Sequence, residues 1–261
     1  MNNGAVTHAS EIVGAPEAAP PAPAPGQPAP HDAQLKPLRD PQPMLERTIS
    51  QWGGHDDLWV FAYGSLIWRP DFDFSERRPA QLHGWHRALK MWSRINRGTP
   101  QCPGLVFGLL SGGSCRGVVF RIPAADGLET LGRLWLREMV TGVYDPRWLS
   151  CVTPGGHVKA LAFTLSRRSP NFTGDLSDAR YREIFAQACG RYGTSLEYAR
   201  QTLEGLRQHG IHDAALTRLL RLAEAQQRDQ LSVSSDEGAR QDALHPSLQP
   251  PVADSHSKES T

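Results

Sequence analysis

A carboxylate stands where a leucine belongs. Between Asp126 and Met139 the apolar residues Leu128, Leu131, Leu134, Trp135 and Met139 recur at the three- and four-residue spacing of a helix with one buried face. Glu138 falls seven residues after Leu131, four after Leu134 and three after Trp135, inside that stripe rather than opposite it. Asp126 is the expected N-cap and Gly142 the expected stop. Burial disfavours the charged form of a carboxyl, and the last helical turn sets the negative end of the helix dipole beside it. Both raise its pKa toward the range useful for general acid/base work. Periodicity alone leaves a structural ion pair with an arginine equally open. Arg137, adjacent on the helix, faces elsewhere and is not the expected partner.

A second candidate runs from Leu58 to Pro70, where the apolar run Leu58-Trp59-Val60-Phe61-Ala62-Tyr63 breaks at Gly64-Ser65 and resumes at Leu66-Ile67-Trp68. This reads as a buried strand feeding a tight loop. Gly64 allows the backbone to come close to another group, and Ser65 sets a hydroxyl beside a row of backbone N–H groups that can hold an anion or a carbonyl oxygen. A plain structural turn uses the same residues. Ser65 as a hydrolase nucleophile would need Gly-x-Ser-x-Gly and an assignable His and Asp, and the sequence has neither.

Other reactive types carry less. His83 and His86 are three apart in a strand pattern, which points them to opposite faces, so no metal site is expected there or at His157. Cys115 and Cys151 lie in apolar strands and read as small core residues. Arg94, Asn171, Tyr144 and Tyr198 are possible pocket residues.

The elements that must position these groups follow from turn and period signals. Met44–Trp52 reads as a short helix ended by Gly53-Gly54, Pro70–Pro79 as an irregular connection, and Ala80–Ser93 as a second strand. Gly104–Leu110 and Gly117–Ile122 flank Ser111-Gly112-Gly113-Ser114 as a predicted hairpin, and Trp148–Thr153 with Val158–Leu165 flank Pro154-Gly155-Gly156 as another. Helical patterns cover 178–189, 195–209 and 213–225, separated by Gly190, Gly193 and Gly210. Strands followed by helices predict an α+β domain.

Composition divides the 261 residues into three. Ten of the 21 prolines lie between Pro16 and Pro43, so residues 1–45 are expected to be a disordered Pro/Ala-rich arm. Residues 226–261 hold few large apolar side chains and read as a disordered polar tail, leaving 46–225 as the packed domain. With 28 basic and 27 acidic residues and no basic run, nucleic acid is not an expected partner; Arg77-Arg78 and Arg167-Arg168 read as solvated loops. The N-terminus lacks a basic region followed by an apolar segment, no run is long enough to span a bilayer, and the four cysteines form no Cys-x-x-Cys pair. A soluble, cytoplasmic protein with reduced thiols is expected.

Tyr63-Gly64-Ser65-Leu66 with Trp68, then Gly84-Trp85-His86-Arg87, then Arg137-Glu138 before Gly142 and Tyr144, form an ordered set. Over roughly Asp57–Ala223 it resembles the ChaC-like γ-glutamylcyclotransferases. The resemblance implies a small mixed β-barrel-like sheet with flanking helices. It places Tyr63, Gly64, Ser65 and Leu66 on the loop that binds the γ-glutamyl group, Glu138 on the catalytic glutamate, and Tyr198 on a tyrosine that helps close the pocket. The family commonly has Asn where Ser195 stands, which leaves that side chain's contact open. The implied reaction converts glutathione to 5-oxoproline and cysteinyl-glycine with no metal or organic cofactor. Two alternatives stay open: cyclisation of other γ-glutamyl amino acids or amines, and a non-catalytic protein that binds a γ-glutamyl metabolite. The sequence leaves the oligomeric state undetermined.

Overall fold

Five strands, β1 (Leu58–Ala62), β2 (Glu76–Ser93), β3 (Gly104–Ile122), β4 (Asp145–Thr153) and β5 (Gly156–Thr164), close into a barrel in the order β1-β3-β2-β4-β5. The neighbours are antiparallel except where β5 meets β1 in parallel at Val60 and Leu161, which closes the ring. The computed structural model describes residues 38–225. Of the disordered arm expected over 1–45, residues 1–37 lie outside these. Residues 38–45 are ordered, since a helix begins at Gln42 and Leu38 and Arg39 bond to residues 141–145. The tail expected over 226–261 lies outside the described residues entirely.

Helices pack around the barrel: α1 (Gln42–Trp52), α2 (Ala124–Glu138), α3 (Asp178–Gln187), α4 (Ser195–Gln208) and α5 (214–225), with a two-stranded ribbon of β6 (Cys189–Gly190) and β7 (Gly193–Thr194) before α4. The α+β expectation and the hairpin around Pro154-Gly155 are both borne out. The barrel interior is apolar, with Phe61, Phe120, Phe163, Leu105 and Leu109 fully buried, as are Cys115 and Cys151. All four cysteines are free. Among the described residues no helix is long and apolar enough to cross a membrane.

The hairpin expected at Ser111-Gly112-Gly113-Ser114 is not there. β3 runs through it as one strand along β2, and the pairing slips from His83↔Ser114 to Trp85↔Ser111. Gly112 (φ +94°), Gly113 (φ +75°) and Gly84 (φ +80°) absorb the slip, so positive φ angles that resemble a turn signal make a bulge that bends the long ribbon. The reversal between β2 and β3 is made by residues 94–103 instead.

Smaller differences have local causes. β2 begins at Glu76, so Arg77 and Arg78 are strand residues. Arg78 pairs with Glu76 and covers the Trp59 ring. Arg167 is tied to Ser111 rather than only solvated. α2 is capped by Pro123, with Asp126 in its first turn. Leu128 lies outside the buried stripe and is 57% exposed.

Two buried ties join the last helices to the sheet. Ser195, fully buried, accepts the Leu105 N–H at 2.7 Å, which pins α4 to β3. Arg87 on β2 donates from Nε to Asp213 before α5 at 3.0 Å and from Nη1 to the carbonyl of Tyr63 at 3.2 Å. The Arg87 and Asp213 side chains are only 5% and 15% exposed. Removing one partner from such a pair strands a buried charge, whereas the Arg218–Asp178 pair is exposed at both ends. Arg87→Ala is expected to lower the unfolding free energy by about 3–5 kcal/mol. Arg218→Ala should cost less than about 1 kcal/mol. Equal losses for the two variants in urea denaturation would show that burial does not set the difference.

Candidate active site

At the end of β1 the chain passes through Tyr63 and Gly64 into a 3₁₀ turn, Ser65–Ile67. The first bond of that turn runs from the Ile67 N–H to the Gly64 carbonyl at 3.0 Å, so the N–H groups of Gly64, Ser65 and Leu66 precede it and have no partner within the turn. A Cβ at Gly64 would sit 2.9 Å from the Tyr198 hydroxyl, which is why the loop needs glycine there. Trp68 holds the far end of the loop to α4 through a 3.2 Å bond to Thr202.

The last residue of α2 is Glu138, set in the same face as Leu131, Leu134 and Trp135, all buried. Its side chain is 15% exposed. Tyr63, Gly64, Ser65, Leu66, Glu138, Tyr144 and Tyr198, the residues expected to form the site, line one cavity, together with Phe107 and Phe163. The cavity encloses about 20 Å³ of free space, roughly the room of one water. A roomier cleft of about 320 Å³ opens between α4 and α5, lined in part by Arg207, His212, Asp213 and Arg221. It contains none of the expected site residues.

Arg137 corrects the sequence reading. It is the partner of Glu138, with Nε 3.0 Å from the carboxylate, and its fork also reaches Ser65 Oγ at 3.0 Å, Asp71 at 2.6 Å and the Arg69 carbonyl at 2.6 Å. Adjacent helical side chains diverge by about 100°. Here the helix ends at Glu138 and the 64–71 loop folds over it, so a long guanidinium can bend back to meet both. The order Arg137-Glu138 was visible in the sequence, but its geometry depends on that loop.

Burial pushes the Glu138 carboxyl above its ordinary pKa; Arg137 pulls it down and Asp71 pushes it up, and burial wins. The remaining donors of Arg137 serve Ser65, Asp71 and backbone carbonyls. The three tyrosines are also raised by burial, Tyr198 to about 12 and Tyr63 and Tyr144 well above the ordinary phenol, with the Glu138 charge adding to each. They therefore stay protonated at neutral pH. Tyr63 donates to the Phe163 carbonyl at 2.7 Å and Tyr144 to the Phe107 carbonyl at 3.3 Å, while Tyr198 accepts the Phe107 N–H at 3.4 Å. Arg97, buried and held by the Tyr192 and Thr194 carbonyls, lies 5.1 Å over the Tyr198 ring.

Arg94 and Asn171 bond to each other at 2.6 Å and do not line the cavity. Phe107 and Phe163 were missed because, in strands with an apolar inner face, a pocket phenylalanine has the same pattern as a core one. Among the described residues no group of three or more His, Cys, Asp or Glu side chains is placed to hold a metal.

Residues 58–226 match the family described as ChaC-like protein. A glutathione-specific γ-glutamylcyclotransferase of Escherichia coli is 35% identical over 177 residues, covering 67% of this chain and 77% of its own length. One of Schizosaccharomyces pombe is 37% identical over 181 residues, covering 62% and 87%. A crystal structure of the yeast γ-glutamyl cyclotransferase specific to glutathione superposes with a TM-score of 0.61 at 22% identity, covering 66% of this chain and 97% of that one. That likeness concerns the fold.

The sign of the Glu138 shift has a thermodynamic consequence. A carboxyl whose folded pKa lies above the unfolded value stabilises the fold below the unfolded pKa, and loses that contribution as pH rises through the folded one. Glu138→Gln is expected to flatten the fall in denaturation free energy across that window. Arg137→Gln, by removing the nearest cation, should move the Glu138 titration upward in carboxyl carbon NMR; a downward move would reverse the roles assigned to burial and Arg137.

Proposed function

The chain belongs to the ChaC-like family, and we propose that it is a glutathione-specific γ-glutamylcyclotransferase with Glu138 as its general acid/base. The observation that carries the proposal is a single raised carboxyl, Glu138, facing the Gly64–Leu66 loop across one cavity. The names of the Escherichia coli and Schizosaccharomyces pombe relatives support glutathione as the substrate.

The reaction is an intramolecular aminolysis. The α-amine of the γ-glutamyl group attacks its own γ-carbonyl, a C–N bond forms to close the five-membered ring, and the γ-amide C–N bond breaks. 5-Oxoproline and cysteinyl-glycine leave, and no water is consumed. Because nucleophile and electrophile belong to one molecule, the protein has only to fold the substrate and move protons. Glu138, ionised, takes one proton from the α-ammonium so that the amine can attack. The ring nitrogen gives up a second as the tetrahedral intermediate collapses, and both end on the departing nitrogen, which leaves as an ammonium. A carboxyl raised by burial holds a proton more readily than an ordinary surface carboxylate, which suits it to exchanging protons in both directions.

The N–H groups of Gly64, Ser65 and Leu66 hold the γ-glutamyl moiety and stabilise the oxyanion that develops on the γ-carbonyl. Arg137 holds Ser65 and Glu138 together, so the binding loop and the base move as one unit. Tyr63, Tyr144 and Tyr198 supply neutral walls that keep Glu138 as the charged group of the cavity without competing for its proton. This chemistry asks nothing of a metal or organic cofactor. Balanced charge and free cysteines support a cytoplasmic enzyme of a small molecule rather than a nucleic-acid-binding protein.

Purified protein incubated with glutathione, and separately with γ-glutamyl-alanine, is expected to release 5-oxoproline and cysteinyl-glycine from the first far faster than 5-oxoproline from the second. Glu138→Gln should lower kcat by about 100-fold or more while glutathione still binds in calorimetry, and Ser65→Ala should lower it partially. Turnover of γ-glutamyl-alanine alone would keep the chemistry and overturn the substrate. Binding of glutathione without turnover by the folded wild-type protein would favour the non-catalytic reading, and undiminished turnover by Glu138→Gln would remove that residue from the mechanism.

A further inference from the structure

The segment Leu38–Trp52 precedes the residues that match the family, yet it makes a concentrated set of bonds to the loop that follows Glu138. The Arg39 guanidinium donates from Nε to the Gly142 carbonyl at 3.0 Å and from Nη2 to the carbonyls of Val143 at 3.3 Å and Tyr144 at 2.9 Å. Its Nη1 meets Asp145 at 2.7 Å. The Leu38 N–H donates to the Thr141 carbonyl at 2.8 Å, and the Pro41 carbonyl accepts the Trp135 indole N–H at 2.9 Å. Gly142 turns the loop at φ +61°, where a Cβ would run into the backbone of Arg39.

Three consecutive carbonyls aimed at one cation is a specific arrangement. Carbonyls at and beyond a helix C-terminus lack intrahelical donors and carry partial negative charge, so a planar guanidinium with several N–H groups is suited to gather them. The loop so gathered, 139–145, joins the two cavity residues Glu138 and Tyr144. The Arg39–Asp145 ion pair is the lesser part, since the Arg39 side chain is 43% exposed and water screens it.

We propose that Arg39 is a positioning residue for Glu138 and Tyr144, and that residues 38–52 form a strap that sets the geometry of a site to which they contribute no side chain. The strap rests on the reading of Glu138 as the acid/base, and it predicts that the fork of Arg39 matters more than its charge. A lysine keeps the charge but brings one nitrogen to carbonyls that Arg39 meets with two, so it restores the loop only in part.

The test uses the full chain with Arg39→Ala, Arg39→Lys and Asp145→Asn, reading kcat and KM for 5-oxoproline release, the pH profile of kcat/KM, and amide hydrogen exchange. Arg39→Ala is expected to lower kcat at least tenfold with KM changed less than threefold, to shift the acidic limb of the pH profile, and to speed exchange in 139–145 while barrel amides stay protected. Arg39→Lys should fall between it and wild type, and Asp145→Asn should stay within about twofold of wild type. Wild-type kcat and pH profile in Arg39→Ala, or a loss matched by the fraction of unfolded protein, would overturn the strap. If the wild-type chain releases no 5-oxoproline from glutathione or γ-glutamyl-alanine, the reaction assignment fails instead, and exchange in 139–145 decides the strap by itself: unaltered protection in Arg39→Ala refutes it, faster exchange there upholds it.

Discussion

The site depends on one unfavourable burial. Placing Glu138 in the apolar stripe of α2 costs hydration of its carboxylate, and the structure offsets that cost only in part. Arg137 divides its donors among Glu138, Ser65, Asp71 and the Arg69 carbonyl. Burial keeps the carboxyl raised against the pull of that cation, and the same guanidinium ties Glu138 to the loop through Ser65.

Much of this was legible in one dimension. Helical period placed Glu138 on the buried face, the break at Gly64-Ser65 marked the loop, and the Gly-separated terminal helices emerged close to their expected limits. These are short-range signals, carried by spacing and turn chemistry. The failures are long-range or ambiguous. Arg137 was assigned away from Glu138 because helix geometry alone sends neighbours apart, and only the overlying loop brings them together. Gly112-Gly113 reads as a reversal because positive φ serves turns and bulges alike, and the choice between them was made by pairing with β2, eight residue pairs on one side of the slip and seven on the other. Phe107 and Phe163 could not be separated from core phenylalanines, since both lie buried in strands whose inner face is apolar.

The cavity walls explain why so few polar groups suffice. Tyr63, Tyr144 and Tyr198 direct their hydroxyls at backbone groups of β3 and β5, which satisfies them locally and fixes their rings. Ring contacts between Phe107 and Tyr198 at 5.4 Å and between Tyr144 and Phe163 at 6.3 Å complete an aromatic lining on a rigid barrel. Every group that lines the cavity is therefore set by a strand, a helix end or a glycine-dependent turn, and none by a long free loop.

The tie between Arg87 and Asp213 gives the chain a temporal order. The cation that steadies the Tyr63 carbonyl finds its counter-charge 126 residues later, beyond every residue that lines the cavity. At a ribosomal pace of about 5–20 residues per second, Arg87 waits roughly 6–25 s for that partner. A nascent chain that already contains Tyr63, Glu138 and Tyr198 still lacks the carboxylate that pairs with Arg87. The cation bonded to the Tyr63 carbonyl thus takes its counter-charge from a residue made after every wall of the cavity.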